Sequence, residues 1–285
     1  MPRLTGRFTA FCLGFALAST AGLPAGSVRA AEAAPPQVTD LTYEVYVGGL
    51  HIFSFAVEMT LQPDRYRLTA QGATEGMVGW VYTFDLNLVA EGLDRDGRIA
   101  PDRYVAATQW QSRQRKTVLD FGGGGRYVLR QDPPPEPDPD IEGELPESLP
   151  EGTVDPLSLA VAASRALEQT GRCDQTLPVF DGQRRFDVTV KQLGETTLPP
   201  NRYSIYQGPA VRCGIGVERI SGFRKSFRAK RDQEARSTPP VIWMASIRPD
   251  LPPVPVRYEG EIALGKIVIH LTAAEFGTES SAAPN

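Results

Sequence analysis

Apolar and polar residues alternate one by one along much of this chain, and that period of two predicts β-strands. The clearest run is His51–Leu61. Phe53, Phe55, Val57, Met59 and Leu61 fall on one face, and Ile52, Ser54, Ala56, Glu58 and Thr60 on the other. Leu41–Val47 precedes it across the turn pair Gly48-Gly49, and Asp64–Gln71 follows after a short turn, the spacing of a meander. Strands are also expected at Phe84–Glu91, Tyr104–Gln114, Arg115–Phe121 and Tyr127–Arg130. Later come Gln175–Phe180 and Arg184–Gln192 around the turn pair Asp181-Gly182, then Tyr203–Gln207 and Val211–Ile220. Val241–Ile247, Val254–Ile262 and Lys266–Thr272 complete the set.

One stretch, Val154–Gly171, has the helical period instead. Leu157, Ala160, Val161, Ser164 and Leu167 recur every three or four positions. Asp155 is a good N-cap, Pro156 suits the first helical position, and Gly171 supplies a left-handed stop. The polar stripe is narrow, with Ser158, Arg165, Glu168 and Gln169. A helix this apolar must be covered on more than one side. The expected fold is therefore mainly β: a curved antiparallel sheet, half-barrel or β-spiral, wrapped around one principal α-helix.

Three segments fit neither period. Ala73–Thr83 is apolar and flexible and reads as a short helix or loop. The four glycines Gly122–Gly125 lack the Lys-Ser/Thr signature of a phosphate loop and read as a hairpin turn. Residues 132–151 are rich in proline and acid, which predicts an extended, solvent-exposed linker. The Ser/Ala/Pro-rich tail, 274–285, reads as disordered. Between a leader at 1–30 and this tail, residues 31–273 are expected to form a single β-rich domain.

The leader changes the compartment. Arg3 and Arg7 precede an apolar run from Phe8 to Leu23, and Val28-Arg29-Ala30 places small residues for cleavage after Ala30. Export by a cleaved signal peptide to a bacterial periplasm is the expectation. Of the three cysteines, Cys12 leaves with the leader. Cys173 and Cys213 then face an oxidising compartment and are expected to pair. No later segment approaches the roughly 18 apolar residues of a membrane span.

A formal charge of −4 argues against non-specific nucleic-acid binding, which needs a basic face. With two histidines, His51 and His270, both inside expected strands, neither a metal site nor a Ser-His-Asp arrangement is indicated, and no cofactor motif is present. No catalytic residue is assigned, and a non-enzymatic protein is the expectation. Two candidate sites remain. Phe53, Phe55, Trp80, Trp110 and Trp243 could line an apolar cavity, although a stripe on one strand face fits a plain core equally well. Arg224, Lys225, Arg228, Lys230 and Arg231, interleaved with Phe223 and Phe227, could meet anionic headgroups or simply form a solvated loop.

Four short motifs, in order, carry a resemblance. They are Tyr43-Glu44-Val45-Tyr46-Val47-Gly48-Gly49, Asp155-Pro156-Leu157-Ser158, the hairpin Phe180–Asp187, and Val254-Pro255-Val256-Arg257. Over roughly Thr39–Leu271 the chain resembles the exported bacterial family called domain of unknown function 3108. That family is broadly similar in design to periplasmic lipoprotein carriers, in which an open sheet curves around helices and holds acyl chains. The family name carries no reaction, and the likeness to those carriers is one of fold alone. Taken with the leader and the apolar candidates, the expectation is a non-enzymatic periplasmic cell-envelope protein that binds a lipid or other apolar ligand; the alternative is an envelope scaffold acting through protein contacts. The Pro-rich linker and the cysteine pair depart from those carriers.

Overall fold

The computed structural model describes residues 37–76, 79, 82–225, 238–262 and 264–278. Seven strands precede the Pro-rich segment: β1 (Gln37–Val47), β2 (Leu50–Leu61), β3 (Arg65–Thr74), β4 (Phe84–Arg95), β5 (Arg98–Trp110), β6 (Arg113–Phe121) and β7 (Tyr127–Asp132). The short β8 (Ile141–Glu142) and the helix α1 (Pro156–Thr170) follow. After them come β9 (Gln175–Phe180), β10 (Arg185–Leu198), β11 (Gly208–Ser221), β12 (Phe223–Arg224), β13 (Val241–Ala245), β14 (Val254–Ile262) and β15 (Gly265–Thr278).

Thirteen strands form one antiparallel sheet in the order β7-β6-β5-β4-β3-β2-β1-β15-β14-β13-β11-β10-β9. The two halves of the sequence are therefore two runs of a single sheet. They are joined where β1, the first strand, pairs with β15, the last. The sheet does not close into a barrel. Its ends nevertheless share a small core in which Ala90, Tyr104 and Leu119 meet Leu149 and Phe180.

The helix begins and ends as its sequence dictates. The Asp155 carboxylate accepts from the backbone N–H of Leu157 and of Ser158, each at 2.9 Å. Gly171 adopts φ 69° and returns its N–H to the Leu167 carbonyl. Val161, Ala162, Ser164 and Leu167 are buried against the sheet. Ser158 is a correction: expected on the polar stripe, it is completely buried, donating to Asp155 and hydrogen-bonded to Tyr66 at 2.7 Å.

Cys173, just past the helix, bonds to Cys213 on β11, with both side chains buried. The bridge closes a sequence separation of 40 residues. Chain-entropy arguments assign a loop of that length about 4 kcal/mol.

Three expectations are corrected. The Pro-rich segment is largely exposed but tied down along its length. Its β8 pairs with β12, the Leu149 N–H donates to the Gly125 carbonyl at 2.8 Å, and just beyond it Val154 bridges to Val179 on β9. Buried Leu149 explains why a segment with no periodicity still docks. The tail also begins later than Ala274, because Ala274–Thr278 pair with Leu41–Gln37 on β1. Residues 279–285, like residues 1–30 where a leader is expected, lie outside the described residues. Finally, Tyr203–Gln207 is not a strand. The Asn201 side chain accepts from the Tyr203 N–H and the Ser204 hydroxyl from the Tyr206 N–H, so local side-chain bonds turn the backbone there.

Candidate functional site

An apolar cavity of about 250 Å³ lies between α1 and the inner face of the sheet. The alternation of β2 builds one wall: Phe55, Val57, Met59 and Leu61 all line it, with Leu41 and Tyr43 from β1 beside them. The helix supplies the facing wall through Leu157, Ala160, Val161 and Ser164. Residues 252–255, with Tyr258 and Ile269, complete it. Ala160 lines the cavity and is also exposed on the helix, so the space reaches solvent there.

Polar groups in this wall are committed to the protein. The Tyr43 hydroxyl donates to the Pro255 carbonyl at 3.0 Å, and Ser164 donates to the Pro253 carbonyl. Burial pushes the Tyr43 pKa up, so the phenol stays neutral. Arg165 donates to Asp94 at 2.6 Å and to Glu168 at 2.7 Å. Arg257 donates to Glu259 and lies 5.3 Å from the Trp243 ring centre, while its buried Nε–H has no acceptor. The cavity thus offers carbon to an occupant almost everywhere.

The residues singled out from sequence separate in space. Phe55 lines the cavity, stacked on Tyr43 at 4.9 Å. Phe53 sits one row further out, between Phe55 and Phe84. Trp243 is buried in the main core under Arg257, and Trp110 stands 50 % exposed at the tip of β5. Trp80 lies outside the described residues. In the basic segment, Arg224 pairs with Asp138 at 2.7 Å and Lys225 donates to the Pro139 carbonyl at 3.0 Å, so both fasten the Pro-rich segment. Arg228, Lys230 and Arg231 lie outside the described residues.

The remaining titratable groups of note do not line the cavity. The rings of His51 and His270 lie 5.3 and 6.1 Å from that of Tyr46, and Tyr46 hydrogen-bonds Glu44. Burial, then Arg257, lowers the His270 pKa and holds the ring neutral. Asp155 carries a strongly shifted carboxyl, but its oxygens are occupied in capping α1. Among the described residues, no group of three or more His, Cys, Asp or Glu side chains is placed to hold a metal ion. No helix among them is long and apolar enough to cross a membrane.

Sequence reasoning found the β2 stripe and the helix face but missed the 252–255 wall. Its proline-rich composition gives no period, although the two carbonyls that receive Ser164 and Tyr43 belong to prolines there.

A family model described as "Protein of unknown function (DUF3108)" matches residues 42–272. No curated protein matches the chain. Among solved structures, the chain is similar to a β-barrel-like protein of the DUF1849 family from Brucella abortus. The TM-score is 0.47 at 12% identity, covering 85% of this chain and 98% of that one.

Proposed function

The chain belongs to the DUF3108 family, and from the cavity we propose that it is a non-enzymatic binding protein of the cell envelope, exported to the periplasm, which holds a lipid acyl chain or another apolar ligand against α1. The cavity itself carries this reading. Folded interiors pack to near-crystalline density. Where this space opens to solvent its apolar walls stay uncovered, and an occupant would gain roughly 25 cal/mol for every Å² of them it shields. Ala160 stands at the opening with only a methyl group, which leaves the space unblocked. The volume lies just below the roughly 300–1,000 Å³ typical of small-molecule sites, which suits one slender chain better than a bulky ligand.

Replacing Ala160 with Trp tests the reading. The position is exposed, so the helix should tolerate the larger ring while the ring fills the cavity. Wild-type protein should bind the fluorescent fatty acid cis-parinaric acid saturably, and Ala160→Trp should weaken that binding by at least about tenfold, or 1.4 kcal/mol. Equal binding by both proteins would turn attention to an envelope scaffold that acts through protein contacts.

A further inference from the structure

A line of aromatic rings leads from the cavity to the molecular surface. Tyr43 stacks on Phe55 at the wall, Phe55 touches Phe53 at 6.2 Å, and Phe53 touches Phe84 at 5.9 Å. Phe84 meets Trp110 edge-on at 5.8 Å, and Trp110 meets Tyr82 at 5.2 Å. The strands set this course through their register. Tyr43 faces Phe55, Phe55 faces Gly72, Phe53 faces Thr74, and Phe84 faces Trp110. Gly72 makes room for the path: a Cβ there would lie 2.7 Å from both the Phe53 ring and the Phe55 Cβ.

The line ends at a rim of distinct composition. Trp110 is 50 % exposed and Tyr82 is 44 % exposed. Directly across the β5–β6 hairpin, Trp110 faces Arg113 and Thr108 faces Arg115. Opposed residues project from the same side of a sheet, so both cations share the face of Trp110. Both are exposed, and neither has an ion-pair partner among the described residues. Lys116 projects from the other side, where Asp132 faces it.

Tryptophan and tyrosine favour the boundary between water and lipid, where one end of each ring is wet and the other is in contact with hydrocarbon. Arginines beside such rings complement anionic headgroups. We infer that the Tyr82–Trp110 rim, with Arg113 and Arg115, docks on an anionic lipid surface, and that the aromatic line behind it is the route by which an acyl chain reaches the cavity. The route rests on the ligand reading proposed above; the docking rests on the rim alone.

The test uses protein expressed from the full-length gene, with Trp110→Ala/Tyr82→Ala and Arg113→Gln/Arg115→Gln as variants. All four positions are exposed, and circular dichroism and thermal melting are to check that each variant folds. The wild type should co-sediment with phosphatidylcholine vesicles that contain phosphatidylglycerol, and weakly with phosphatidylcholine alone. Loss of the two cations should weaken binding to the anionic vesicles by about thirtyfold. Loss of the two rings should also weaken it, while both variants still bind cis-parinaric acid free in solution. Vesicle binding unchanged in both variants overturns the docking surface. Vesicle binding that depends on the rim, in a protein that takes up no cis-parinaric acid, leaves the docking standing and overturns the ligand reading and the route with it.

Discussion

Asp155 caps α1 with its carboxylate while completely buried, and these two roles pull its ionisation in opposite directions. Burial raises its pKa, and the hydrogen bonds from Ser158 and Leu157 lower it; burial wins, leaving it at about 6. The folded state therefore holds this proton more tightly than the unfolded chain, whose carboxyl titrates near pH 4. Its contribution to stability is full below about pH 4 and is lost as pH rises to about 6, by no more than roughly 3 kcal/mol. Asp155→Asn keeps a capping oxygen without the charge. Chemical denaturation of both proteins across this range should show wild type losing stability relative to Asp155→Asn between pH 4 and 6. Parallel curves would contradict the assignment. The cap, the first-turn proline and the terminal glycine were legible because their signals lie within a few residues. The burial of Ser158 was not, because its partner Tyr66 is 92 positions away.

At the scale of elements, the disulfide joins the exit of α1 to β11 and so holds the helix against the strands on one side of the sheet. Replacing both cysteines by serine should lower stability by roughly 2–4 kcal/mol. Urea denaturation measures this directly, and an unchanged midpoint would mean that packing alone fixes the helix. The strands were read well where alternation is strict, as in β2. Errors came where a local pattern met a distant partner. Ala274–Thr278 reads as tail on its own and becomes strand because β1 offers an edge to extend along. Tyr203–Gln207 alternates like a strand, but Asn201 and Ser204 turn it. The Pro-rich segment shows no period, yet Leu149 and Val154 anchor it.

In the whole molecule, a sheet curves around a helix and stops short of closing, leaving an apolar space between them. Period two told which β2 residues face inward but not which row of the sheet the helix covers. Of the five aromatics first proposed for a cavity, Phe55 lines it, whereas Phe53 and Trp110 fall on the outward line and Trp243 in the core. The helix face was legible, but Ala160 looked like ordinary core until its exposure beside the cavity was seen. The central claim is that this space holds an apolar molecule. Mass spectrometry of an organic extract tests it most directly, using protein purified gently from its native cells beside the Ala160→Trp variant and a mock preparation. The account predicts a lipid or other apolar compound in near-stoichiometric amount with wild type, depleted in the variant and absent from the mock. An extract from wild type no different from the mock, repeated after incubation with envelope lipids, would contradict it.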